Sequence, residues 1–99
     1  MATYTASHAK TFTLSNGVVD TVVLTGIGNH IAFAVTANHK PIYFTLNGPG
    51  QELPDPTVGG DNCYCVDYQS VFSGPWTGGP VTLKLIAAGN PTLTVMLFT

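Results

Sequence analysis

The stretch Ile31-Ala-Phe-Ala-Val35, followed one turn later by Ile42-Tyr-Phe-Thr-Leu46, decides the fold class. In an extended chain, successive side chains point to opposite faces. Ile31, Phe33 and Val35 therefore share one face, opposite Ala32 and Ala34. Ile42, Phe44 and Leu46 likewise lie opposite Tyr43 and Thr45. A helix would scatter these large side chains around its circumference, so a period of two reads as half-buried β-strand. Asn38-His-Lys-Pro41 supplies turn chemistry between them, with Pro41 at a strand entrance where a missing N–H is tolerated.

The same alternation extends outward in both directions. Thr11-Phe-Thr-Leu14 opens a strand, and Ser15-Asn-Gly17 turns the chain into the β-branched run from Val18 to Thr25. Downstream, the segment from Asn47 to Asp61 is the longest irregular stretch, and loops of that length are often functional. Two short strands are expected at Asn62–Asp67 and Gln69–Ser73, then a Gly/Pro connection from Gly74 to Pro80. Val81, Leu83 and Leu85 alternate with Thr82 and Lys84. In the last strand Leu93, Val95 and Leu97 point inward, and Thr92 and Thr94 outward.

Seven to eight short strands at roughly ten-residue spacing, with no helical periodicity, predict an all-β domain. Two packed antiparallel sheets follow from strands with one apolar and one hydroxyl-rich face. The expected fold is an antiparallel β-sandwich with Ig-like or jelly-roll-like connections, a closed barrel being the alternative. Residues 1–10 read as an N-terminal arm able to order on a neighbour, and residues 11–99 as a single domain.

Charge is scarce. Only 8% of the residues are charged, against about a quarter in ordinary soluble domains, and there is no arginine. Lys10, Lys40 and Lys84 are too widely spaced to track a phosphate backbone, so a nucleic-acid partner is not expected. No apolar run is long enough for a membrane helix, and the first residues lack the basic and apolar regions of a signal peptide.

Reactive groups are equally sparse. Ser7, Ser15, Ser70 and Ser73 and the histidines His8, His30 and His39 form no nucleophile motif, and each histidine sits near a turn or strand end. Neither enzymatic activity nor a cofactor is expected. Glu52, Asp55, Asp61 and Asp67 fall in or near the long loop, but lack the spacing of a calcium loop, and turn-forming roles suffice for them. No metal is expected. Cys63 and Cys65 flank Tyr64 on one strand face, badly oriented for an unstrained disulfide, and read as small buried hydrophobes.

The aromatic residues are the stronger signal. Tyr64, Tyr68, Phe72 and Trp76 lie close together in sequence. Either Phe72 and Trp76 plug one end of the core, or the group presents an anchor to a partner, since Trp and Tyr are enriched at interface hot spots. Stacking of a sugar ring is a third use for Tyr64, Tyr68 and Trp76. Met96 and Phe98 share the face of Thr92 and Thr94 and break its polar pattern. They are covered by a loop or mark a subunit contact.

The order of four segments is distinctive: Val18-Val-Asp-Thr-Val-Val-Leu-Thr-Gly26, Pro41-Ile-Tyr-Phe-Thr-Leu-Asn-Gly48, Pro56-Thr-Val-Gly-Gly-Asp61 and Leu83-Lys-Leu-Ile-Ala-Ala-Gly-Asn-Pro91. It resembles the small threonine-rich β-proteins encoded among the virion structural genes of tailed phages of actinobacteria. In that group a strand like Ile42-Tyr-Phe-Thr45 precedes a Pro-Thr-Val-Gly-Gly-Asp loop, and a late Lys-Leu-Ile strand precedes the final one. The resemblance runs from around Ala9 onward, while Cys63-Tyr-Cys65 and the Phe72-to-Trp76 segment depart from the pattern.

The resemblance implies a non-enzymatic virion protein on the capsid surface, made in the host cytoplasm. Such a head-decoration protein would dock on the major capsid protein or other virion subunits as a homo-oligomer, with trimers at threefold sites. The alternative is a tail-associated or carbohydrate- or receptor-binding module.

Overall fold

The computed structural model describes residues 1–47, 53–73 and 80–99. Among them are nine strands and no helix. In chain order these are β1 (Thr3–Ala6), β2 (Ala9–Thr13), β3 (Asp20–Leu24), β4 (His30–Ala37), β5 (Ile42–Asn47), β6 (Tyr64–Val66), β7 (Gln69–Ser73), β8 (Val81–Ile86) and β9 (Thr92–Phe98). They form two open sheets, ordered β1-β3-β8-β5-β6 and β2-β9-β4-β7. A two-sheet sandwich is therefore present, but it has nine strands among the described residues instead of seven or eight, and one pair, β1 with β3, is parallel where all were expected to be antiparallel.

The core lies between the sheets and is filled by the residues that the alternation assigned to it. Ile31, Phe33 and Val35 of β4, beside Leu97, Val95 and Leu93 of β9, face Ile42 and Phe44 of β5 and Leu83 and Leu85 of β8, all in one buried cluster. Phe33 and Phe44 bridge the two sheets with ring centroids 4.4 Å apart and planes tilted by 39°. A tilted pair at that separation lets the positive ring edge approach the negative face, which adds to the gain from burial.

The segment expected as an arm is built into both sheets. Thr3–Ala6 pairs in parallel with Thr21–Leu24, so β1 closes one edge of the first sheet. The chain then crosses over at Ser7 and His8, and β2 pairs antiparallel with β9 from Ala9 onward. Two features hold the crossing. The buried carboxylate of Asp20 accepts the Ala2 N–H at 2.9 Å, and the Tyr4 ring lies 4.9 Å from that of Phe12 in the other sheet. Lys10 shares the inward side of β2 with Phe12 and places its ammonium 5.6 Å from the Tyr4 ring centroid.

Residues 53–60, which follow β5, settle on the outer face of the first sheet. Thr45 donates its hydroxyl to the Pro54 carbonyl at 2.7 Å, and is buried although it points away from the core. The Lys84 ammonium donates to the Leu53 carbonyl at 3.1 Å and to the Asp55 carboxylate at 2.9 Å. Gly60, at φ +92°, lies over Tyr43, with space that only a residue tolerant of the left-handed region uses without strain. The Thr45 hydroxyl and the Lys84 ammonium, both placed outward by the sequence, are thus used to bind the chain's own loop.

Candidate functional site

The outer face of the second sheet has no such cover among the described residues. Cross-strand register defines its rows. Thr11 of β2, Thr94 of β9, Ala34 of β4 and Gln69 of β7 form one row. Ala9, Met96, Ala32 and Val71 form the next, and Phe98, His30 and Ser73 the third. Lys10 is the only charged residue in these four strands, and its register with buried Val95 turns it inward. The face is consequently a plane of hydroxyls, methyls and one thioether, without a formal charge.

Local sequence explains its flatness. Ala32 and Ala34 lie on the central strand β4, where a larger residue would stand above the plane. Beside them Val71, 58% exposed, lines a shallow depression of about 320 Å³ together with Ala32 and Ala34, and Met96, 43% exposed, adds apolar contact in the same cross-strand row. Along the far side, Thr11 and Thr94 share a hydrogen bond at 2.7 Å, as do Thr13 and Thr92 at 2.8 Å. Hydroxyls paired in this way lose less on leaving water than free ones.

The six residues singled out from sequence separate into different places. Met96 lies in the middle of the face, and Phe98 is half-buried in the next row with its ring stacked on His30 at 5.2 Å. The Nδ1 atom of His30 is buried with no hydrogen-bond partner among the described residues. Tyr68 sits at the turn into β7, stacked almost parallel on His39 at 4.7 Å, so one face of its ring is occupied. Phe72 lies in β7 opposite Ile31. Tyr64 belongs to the other sheet, on the short edge strand β6, with its ring 5.6 Å from Phe44. Trp76 lies outside the described residues. Tyr64 and Tyr68 thus stand on either side of the point where the chain passes from the first sheet to the second.

Val71, Ala32 and Ala34 belong to this face, and sequence reasoning named none of them as a candidate. The signal for the two alanines was present, since they oppose Ile31, Phe33 and Val35 on β4. Val71 was ambiguous because it adjoins Phe72, and a two-residue apolar step does not say which member points inward.

The reading of both cysteines as buried needs correction. Cys65 is exposed and Cys63 half-buried, and both are free thiols. Edge strand β6 has no neighbour beyond it among the described residues, and Cys65 shares the outer face with Tyr43. Partial burial, then the Asp67 carboxylate and the neighbouring Cys63, raise the Cys65 thiol above its ordinary pKa. Each cause disfavours the thiolate, which is the reactive form. Cys65 should therefore alkylate with iodoacetamide more slowly near pH 8 than an unperturbed thiol. Asp67→Asn should move the midpoint of its pH–rate curve downward. An unchanged or higher midpoint in the variant would refute this account.

Among the described residues, no three His, Cys, Asp or Glu side chains stand together as a metal site requires. Asp55 is instead committed to Lys84. No helix of the structure is long and apolar enough to cross a membrane.

No protein-family model matches the chain, and no curated protein matches it significantly. Solved structures do share its fold. One is PliG of Aeromonas hydrophila, a periplasmic lysozyme inhibitor of g-type lysozyme, with a TM-score of 0.62 at 12% identity over 97% of this chain and 96% of that one. A mutant of the Escherichia coli PliG gives a TM-score of 0.55 at 11% identity, covering 97% of each chain. At such identities the likeness is one of fold.

Proposed function

We propose that this chain is a non-enzymatic structural subunit of a tailed-phage virion, a head-decoration protein that docks on capsid subunits through the outer face of β2-β9-β4-β7. One observation carries the reading: that face has no outward charge among the described residues, whereas the opposite face is engaged by the chain's own loop. Interface cores are depleted in charge, because a charge taken out of water without a matched partner costs several kcal/mol. Paired threonines and alanines avoid that cost. The segment order read from the sequence supports the virion setting.

The strand order also supports the jelly-roll-like form of the sandwich over the Ig-like one. Four strands, β2-β9-β4-β7, lie against β3-β8-β5-β6, with β1 added at one edge. Viral capsid domains and lectins both use jelly rolls, so this agrees with the reading by association of fold and not of site.

The test is titration of purified protein onto undecorated capsids. Binding should saturate and change little between low and high salt, because few ionic contacts are available to screen. Ala34→Lys, which places a charge mid-face, should weaken binding by about tenfold or more, equivalent to roughly 1.4 kcal/mol. The absence of saturable binding would defeat the capsid reading. A second reading, inhibition of an enzyme, is favoured by the fold likeness to the two PliG structures over nearly the whole of each chain. It is abandoned if a large excess of the protein leaves g-type lysozyme turnover unchanged.

A further inference from the structure

We infer that the protein self-associates as a two-fold dimer through the edge of β7 that has no neighbour among the described residues, which pairs antiparallel with β7 of a second copy. In an antiparallel pair, hydrogen-bonded and non-bonded partners alternate. The Val35 N–H donates to the Tyr68 carbonyl at 2.9 Å, and the register continues through Ala34–Gln69, Phe33–Ser70, Ala32–Val71, Ile31–Phe72 and His30–Ser73. The backbone groups of Tyr68, Ser70 and Phe72 therefore point toward β4. Those of Gln69, Val71 and Ser73 point away, where no strand lies among the described residues.

Those three residues are symmetric about Val71. A second copy laid antiparallel would set Val71 opposite Val71, and each Gln69 opposite the other copy's Ser73. Each of these pairs would exchange two main-chain hydrogen bonds, so no outward group of the strand is left over. The same operation extends the row Ala9-Met96-Ala32-Val71 across the two-fold axis into its own mirror order. One continuous sheet would then double the uncharged outer face.

The other edges are less suited to a neighbour, and this selects β7. Natural proteins blunt strand edges by shortness, charge, proline or a bulge. Strand β2 contains Lys10, and β6 has three residues with Asp67 next to it. Strand β1 has four residues. Strand β7 has five residues without charge or proline, and its ladder to β4 shows no register shift. A second copy meets no like-charge penalty there, because the opposing strand is equally neutral. The inference does not rest on the virion reading, and it is measured on purified protein without capsids.

Val71→Pro is a discriminating variant. Its missing N–H belongs to the free edge, so the ladder to β4 keeps its bonds, and proline is tolerated on such edges. In sedimentation equilibrium the unaltered protein should approach the mass of two chains as concentration rises. The Val71→Pro protein should remain at the mass of one, with an unchanged far-ultraviolet spectrum. Val71→Lys is the companion if the proline variant fails to fold, since it keeps every backbone group and places like charges opposite each other. It too should sediment as one chain. Amide exchange at Gln69, Val71 and Ser73 should slow with increasing concentration in the unaltered protein only. A monomer at every concentration, a trimer, or a dimer that survives either folded variant would overturn the inference.

Discussion

Phe33→Ala is expected to lower the free energy of unfolding by about 3–5 kcal/mol, the range for removing a buried aromatic ring. Phe33 is 2% exposed, at the centre of β4 and between β7 and β9 in its sheet. Its ring is also the direct contact to the opposite sheet through Phe44. Truncation forfeits the transfer free energy of the ring and leaves a cavity that two hydrogen-bonded sheets cannot collapse into. Domains of this size are stable by about 5–15 kcal/mol in all, so the variant should lie near the limit of folding. Each kcal/mol shifts the thermal midpoint by roughly 4–8 °C, so calorimetry should show a fall of at least about 12 °C. Thr36→Ala, on the exposed side of the same strand, should stay within about 0.5 kcal/mol of the parent. A loss below about 1 kcal/mol for Phe33→Ala would mean that the ring does not bridge the sheets.

Gly28→Ala should cost about 1–3 kcal/mol, although alanine is ordinarily the milder residue for a chain to order. The cause is space rather than φ. A Cβ on Gly28 would stand 2.7 Å from the Phe98 carbonyl oxygen and 2.9 Å from two side-chain carbons of Leu97. Phe98 cannot simply withdraw, because its carbonyl accepts the Asn29 N–H at 3.0 Å and its ring is stacked on His30. The added methyl must therefore push the entry of β4 away from the end of β9. Urea unfolding of the variant should show a lower midpoint with an unchanged slope. A midpoint equal to that of the parent would show that the chain relaxes there without loss.

The inward-facing halves of the strands were legible from sequence because burial of one face enforces a strict period of two. Ile31, Phe33, Val35, Leu93, Val95 and Leu97 are the plain examples, and all six are buried. Strand β1 was not legible. Its inward residues are Tyr4 and Ala6, half-buried at a corner, and its partner Thr21–Leu24 pairs with it in parallel. Cys65 was misplaced because a strand three residues long carries too little pattern to distinguish an edge from a centre. At the candidate site, Met96 and Phe98 stood out as apolar residues in a hydroxyl row. The row that joins Met96 to Val71 through Ala32 exists only in the cross-strand register, which pairs residues from distant parts of the chain.

The central positions of β8 and β9 determine when the molecule can fold during synthesis. Before residue 81 is made, the pairs available are β1 with β3, β4 with β7, and β5 with β6. Two-stranded fragments of this kind are marginal in water. Strand β8 then joins the first fragment to the third, and β9 joins β2 to the second. A growing chain on the ribosome thus holds disconnected pieces with bare apolar faces until its last strands emerge. Such non-local topologies form slowly, and nascent chains of this kind are exposed to aggregation or chaperone capture in the interval. A chain stopped short of Val81 would be a set of unjoined ribbons rather than a smaller domain.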